Sequence, residues 1–304
     1  MASLEYYNLS FGGTASLSVY QTGVAMAFHR HGQKVLEKTR NIAGASAGAI
    51  PAGLLATAPD KIQPVLAGTR KIIEDIFKNK GITPSYDLTS RVRRLLSVQI
   101  PKDAHTRIGD RQLYISVMTF EKVKDPQPAF NVNDAAAWKM LGKKAWEVFV
   151  DIHEFKEEVI TEFGSREELI EVLSGSAHIP IWGGIKHPLY RGKKLMDPGL
   201  KLYVPDKGYV YPENVHVNPS RFRGYGKTIT ISSLYSDEVT ITPIKQKGDE
   251  IKVTGQPIDL TKWNYLYAQD AYHPPPWENM KEYYVRGYED TKVYLTHEDL
   301  FTRS

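Results

Sequence analysis

The chain of 304 residues contains no cysteine. Disulfides, thiolate zinc sites and cysteine nucleophiles are therefore excluded. It has no run of 18 or more apolar residues. The nearest stretch, residues 43–58, is mostly Ala and Gly with Pro51 inside it, so a membrane-spanning helix is not expected. The opening "MASLEYYNLSFGG" lacks a basic segment followed by an apolar one, so no secretory leader is expected and a cytoplasmic location fits. Internal repeats, low-complexity tracts and recognisable nucleic-acid modules are also missing, and no nucleic-acid partner is expected. The net charge is only +4. Its two basic clusters, "RVRR" at 91–94 and "RGKK" at 191–194, read first as solvated faces and second as attractors of anionic headgroups or phosphates.

What is present is an ordinary globular composition, 41% hydrophobic and 24% charged, enough for one large domain or two small ones. "EYYNLSF" is rich in strand formers and ends in a glycine turn. The stretch 19–39 then carries Val19, Val24, Phe28 and Val35 at roughly helical spacing. "RNIAGASAGAI" is a short apolar strand entering a Gly/Ser turn, and "IPAGLLATAP" continues as helix with Pro51 near its start. Residues 60–81 form a further helix, and "RQLYISVMTF" a further strand. Strands alternating with helices predict a parallel-type α/β sheet. Residues 134–160 are expected to form a long amphipathic helix with Trp138, Leu141, Phe149, Phe155 and Val159 on one face. It would pack on the core, or act as a lid or a lipid-touching helix. "HIPIWGG" and "KLMDPGLKLYVP" read as loop-and-strand pieces. Residues 238–255 read as a hairpin turning near Gly248, and the tail as two helices broken by Pro274–Pro276.

One motif carries chemistry. "GASAG" at 44–48 matches G-x-S-x-G, which puts Ser46 on a tight strand-to-helix turn beside a helix N-terminus that favours developing negative charge. A chance match arises in about one chain of this length in ten, so context decides. Here the motif stands between an apolar strand and a helix. A serine nucleophile needs a base. His216, His273 and His297 are formal candidates, but none stands in an obvious strand-end loop with a matching acid. Asp197 in "MDPG" could serve directly, although Asp-Pro-Gly by itself is most often a turn. The glycine-rich stretch "SFGGTASLSVYQTG" at 10–23 lacks the Lys-Ser/Thr ending of a phosphate-binding loop.

Three motifs in this order resemble the patatin-like phospholipase family: the glycine-containing loop at 13–18, G-x-S-x-G at 44–48 and the Asp turn at 197–199. Segments such as "AGASAGAI", "IPKDAH", "HIPIWGG" and "TITISSLY" are similar to those of the animal branch that includes adipose triglyceride lipase. The resemblance covers most of the chain except about 122–165, read as an insertion. It implies a three-layer α/β/α patatin-like fold with a mostly parallel central sheet. A catalytic domain would span 1–235, with a hairpin-and-helix extension at 236–304 packed on it. It also implies a Ser–Asp dyad, with Ser46 as nucleophile and Asp197 as general base, and an oxyanion loop of backbone N–H groups at Gly13, Thr14 and Ala15. No metal or organic cofactor is implied. The implied partner is a lipid ester, with room for peripheral contact with a membrane or lipid-droplet surface. Two departures stand out. The family's G-x-G-x-x-G loop reads Gly13-Thr14-Ala15-Ser16-Leu17-Ser18, replacing glycines with residues that resist φ > 0. The Asp turn carries Pro198, which has no N–H. These departures keep two alternatives to a lipid acyl hydrolase open: a transacylase or specialised biosynthetic enzyme, and a non-catalytic lipid-binding relative.

Overall fold

The computed structural model describes residues 6–79, 86–122, 153–199 apart from 185, and 226–303 apart from 237, 244–251, 254–255, 258–269 and 272, together with 222 and 224. It is built on strand β1 (Tyr7–Phe11), whose five residues are all buried, so both faces of the sheet are covered there. Leu9 and Phe11 are fully buried in the main core. On the other face, Asn8 is satisfied by bonds to Thr228 Oγ1 and from Asn41 Nδ2. β1 pairs in parallel with β2 (Thr39–Ala45) and β7 (Lys227–Ile231), and β2 pairs in parallel with β3 (Gln112–Lys122).

Beyond this parallel part the sheet turns antiparallel. β3 pairs with β4 (His153–Ile160) and β6 (Lys193–Met196), and β6 pairs with β5 (Leu189–Tyr190). The sheet is thus mixed, a parallel block of four strands extended by antiparallel neighbours. The register of β3 fixes a local arrangement that matters below. β4 covers residues 115–122 along one edge of β3, so β2 and β6 must share the other edge. β2 climbs that edge until Ala45 stands opposite Ser116. β6 descends it until Met196 stands opposite Met118. The C-terminal ends of the two strands therefore face each other across the single position of Val117.

Helices pack on this sheet. They are α1 (Ser18–His31), α2 (Ala49–Thr57), α3 (Ile62–Lys78), α4 (Leu88–Gln99), α5 (Arg166–Ser176) and α6 (Trp277–His297). α1 and α6 cross closely because each offers a glycine. A Cβ on Gly23 would lie 2.1 Å from the Tyr284 carbonyl oxygen, and one on Gly287 would lie 2.1 Å from that of Tyr20. Ser165 caps α5 by accepting the Glu168 N–H, while Glu168 accepts the Gly164 N–H. Ser-x-x-Glu at 165–168 is the helix-start signal in the sequence here.

Two expectations need correction, and two more fall partly outside the described residues. The helix expected over 134–160 ends as a strand: 153–160 is β4, with Phe155 opposite Phe120 and Ile160 opposite Ile115. A spacing of four, as in Phe155 and Val159, fits both the helical period and the strand period of two; pairing with β3 decides between them. The remainder of that stretch, and the expected lid or core role, lie outside the described residues. The expected turn at Gly248 also lies outside them. The pairing that is described joins Lys252–Val253 to Gln256–Pro257. In "HIPIWGG", Pro180–Gly183 is a single helical turn rather than loop or strand, with proline at the start where its missing N–H costs nothing. Of the two tail helices, α6 follows Pro274–Pro276 as expected, whereas only Asp270 and Ala271 of the first are described, and those are helical.

Candidate active site

Ser46 leaves β2 at the tight turn. A Cβ on Gly44 would lie 2.6 Å from Ala49 Cα, and one on Gly48 would lie 2.3 Å from the Gly12 carbonyl oxygen. Glycine at both places lets strand, helix and neighbouring loop close up. Ser46 itself has φ +54°, a left-handed conformation that costs a non-glycine residue about 1–2 kcal/mol. The helical run that begins at Ser46 continues into α2.

Asp197 follows β6 and so meets Ser46 across Val117. Ser46 Oγ donates to Asp197 Oδ2 at 2.5 Å. Asp197 Oδ1 accepts the Gly199 N–H at 2.8 Å, and the Asp197 N–H goes to the His178 carbonyl at 2.8 Å. Burial pushes the Asp197 carboxyl up from 3.8 to about 6, against the opposing hydrogen bonds from Ser46 and Gly199. Pro198 leaves this arrangement intact, because the carboxylate takes its backbone donor from Gly199. At the middle of the turn, Pro198 restricts φ where no N–H is required.

The loop at 12–15 lies directly against Ser46. A Cβ on Gly13 would sit 2.6 Å from Ser46 Cβ and 3.3 Å from Ser46 Oγ. Ala15 adopts φ +46°, so the left-handed turn persists there despite the lost glycine. Ser18 has φ −55° and begins α1, so that position needs no glycine. The two departures in the loop are therefore unequal: one is a strained alanine, the other an ordinary helical serine.

Further side chains support the site. Gln21 Nε2 donates to the Gly12 carbonyl at 2.5 Å. Ser233 Oγ donates to the Leu17 carbonyl at 2.9 Å, which leaves Thr14 Oγ1 to donate to Ser233 Oγ at 2.8 Å. Gln21 and Thr14 stand near the glycine motif, but nothing local points to Ser233, more than two hundred residues away. His178 is fully buried, with Nδ1 2.8 Å from Thr89 Oγ1. Burial, helped by His187 and Arg93, holds its imidazole well below the usual histidine value, so it stays neutral. Of the histidines considered from sequence, His216 lies outside the described residues. His273 is exposed, and His297 is exposed beside Glu298. Neither of these two lines the pocket.

The Ser46–Asp197 pair opens onto a pocket with hydroxyls at Ser16, Ser18 and Thr22 and aliphatic walls from α3 and α4 that include Ile76 and Val92. Asp197 is the one ionisable side chain among the described residues that line it. Also among the described residues, no group of three His, Asp or Glu side chains lies close enough to hold a metal ion. No described helix is long and apolar enough to cross a membrane.

The sequence pattern of the family described as patatin-like phospholipase matches residues 9–205. Human patatin-like phospholipase domain-containing protein 4 is 29% identical over 303 residues, covering 98% of this chain and 100% of that protein. Human omega-hydroxyceramide transacylase is 25% identical over 293 residues, covering 95% of this chain and 46% of that protein. Human patatin-like phospholipase domain-containing protein 2 is 27% identical over 305 residues, covering 98% and 50%. The chain thus spans the first relative whole and about half of each of the other two. With the ordered motifs and the match over most of its length, the chain belongs to the patatin-like phospholipase family.

Proposed function

We propose that the chain is a lipid acyl hydrolase that works through a Ser46 acyl-enzyme. The observation that carries this reading is the 2.5 Å bond from Ser46 Oγ to Asp197 Oδ2 at a largely apolar pocket. Ser46 Oγ attacks the ester carbonyl while Asp197 takes its proton; the alcohol leaves with a proton returned from Asp197, and water then repeats the sequence on the acyl-enzyme. A carboxyl with a value of about 6 suits this role, being mostly ionised at neutral pH yet more basic than an exposed aspartate. Backbone N–H groups of Gly13, Thr14 and Ala15 hold the oxyanion, a role supported by the close approach of the loop, where a Cβ on Gly13 would lie 3.3 Å from Ser46 Oγ. The aliphatic walls suit a long acyl chain. The absence of cations among the described lining residues favours an ester whose alcohol part is neutral.

The test is fluorophosphonate labelling together with p-nitrophenyl ester turnover. Wild type labels at Ser46 and turns over the ester, while Ser46→Ala loses both and Asp197→Asn loses turnover. Unchanged turnover in both variants would overturn the dyad, and an unlabelled wild type would favour a non-catalytic lipid-binding protein. A second reading, acyl transfer to an alcohol instead of water, is favoured by the similarity to a transacylase and by the hydroxyls near the dyad. Product analysis with an acyl donor and an alcohol acceptor separates the two.

A further inference from the structure

The pocket wall formed by α3 and α4 has an outer side. The two helices approach closely where Gly68 meets Leu95: a Cβ on Gly68 would lie 2.1 Å from Leu95 Cδ1. Over this seam runs a shallow groove lined by apolar Pro64, Ala67, Gly68 and Val98 and by basic Lys71, Arg91 and Arg94. The basic row continues along α3 to Lys78. Val98 is 71% exposed, the most exposed of the large hydrophobic residues described. Spacings of three, four and seven put Pro64, Ala67, Lys71 and Lys78 on one stripe of α3, and Arg91, Arg94 and Val98 on one stripe of α4.

The charge on this face is one-sided. Its two carboxylates are already engaged, Glu74 by Arg70 at 2.7 Å and Asp75 by Arg91 at 3.0 Å. Lys71, Lys78 and Arg94 are exposed and have no carboxylate partner among the described residues. Scattered surface charge is ordinarily just solvated. Here the free cations adjoin an apolar groove lining, and the groove backs onto the Ser46 pocket: Ile72 and Leu95 line both the outer groove and the inner pocket. Cations outside and none among the inner lining residues is the distribution expected if the headgroups met here belong to the surface and not to the substrate.

We propose that the outer face of α3 and α4 docks on an anionic phospholipid bilayer, with the seam at Ile72 and Leu95 lying between that surface and the Ser46 pocket. The purpose assigned to the docking, delivery of ester to Ser46, rests on the acyl-hydrolase reading; the docking itself is measured without it. Each lysine or arginine near an anionic surface contributes about fivefold in binding, and the attraction is screened within a Debye length.

The experiment is co-sedimentation of the full chain with phosphatidylcholine vesicles, with and without about 30% phosphatidylserine. Turnover of a soluble short-chain ester is followed in parallel. Wild type is expected to bind the phosphatidylserine vesicles, to bind pure phosphatidylcholine weakly, and to detach as salt rises. The triple variant Lys71→Gln/Lys78→Gln/Arg94→Gln is expected to bind about 100-fold more weakly while keeping soluble-ester turnover. Val98→Ser is expected to weaken binding further. A control, Arg30→Gln/Lys34→Gln/Lys38→Gln, takes the same charge from the end of α1 and from the short helix and turn beyond it. Equal binding to both vesicle types, undiminished binding by the triple variant, or an equal loss in the control would each overturn the docking face. Loss of binding with turnover retained would separate the role of this face from the dyad chemistry. Binding by a wild type that never turns over ester would sink the hydrolase reading and leave the docking face standing.

Discussion

Replacing Asp197 by Asn is expected to abolish activity and at the same time make the protein more stable at neutral pH. Asn keeps the shape of the site: its Oδ1 can still accept the Gly199 N–H, and its Nδ2 can donate to Ser46 Oγ. What it removes is an ionised carboxylate held where burial opposes ionisation. The wild-type group titrates at 3.8 when unfolded and at about 6 when folded. Between those values the folded state binds more protons than the unfolded state, so stability falls as pH rises through the window. The slope is about 1.4 kcal/mol per pH unit. Across the window from 3.8 to about 6 it amounts to about 3 kcal/mol. Urea unfolding of wild type and Asp197→Asn across the acidic-to-neutral range reads it directly. The two proteins should be close in stability near the lower edge and diverge upward, reaching a gain of about 3 kcal/mol for the variant, or about 5 °C in Tm. Wild-type kcat/KM should fall over the same range, as pH drops through about 6 and the base becomes protonated. An Asn variant that is less stable than wild type at neutral pH, or whose gain does not change with pH, would refute the buried-carboxylate argument.

Three further substitutions probe the frame around the dyad. Gly13→Ala puts a methyl 2.6 Å from Ser46 Cβ, and turnover should drop by about 10²–10³-fold, as for loss of an oxyanion donor, with a stability loss of about 1–3 kcal/mol on unfolding. Ala15→Gly relieves the left-handed strain of about 1–2 kcal/mol, less about 0.5–1 kcal/mol for the looser unfolded chain. A net gain in urea midpoint is expected, and a loss would show that φ +46° carries no strain. Gly287→Val drives a side chain into the Tyr20 carbonyl from 2.1 Å at the α1–α6 crossing, where neither backbone can yield. It should cost upwards of about 3 kcal/mol in a thermal melt.

The strand-turn-helix around Ser46 was legible because every signal for it is local: an apolar strand, two flanking glycines and a helix entry within a dozen residues. The same holds for β1, β3 and α3, whose apolar spacing falls on one period; α1 ends at His31, capped by Gly32, short of the expected Val35. β4 was misread because Phe155 and Val159 satisfy two periods at once, and the free edge of β3 chose between them. Asp197 was legible only through the ordered motifs of the family, since Asp-Pro-Gly alone describes a turn. Its suitability as a base comes from burial and from the bond with Ser46, and both arise where two strands of opposite direction end on one edge of β3. The loop departures could be ranked only from backbone angles, which showed Ala15 held at φ +46° and Ser18 relaxed in a helix. The sequence by itself determined which residues could do the chemistry and the order in which they come. Tertiary structure alone decided that Ser46 and Asp197 meet, that Ser233 braces the loop, and that Ile72 and Leu95 line both the inner pocket and the outer groove. Each of these joins residues far apart in the chain, and only strand register and helix packing bring such residues within a few ångströms.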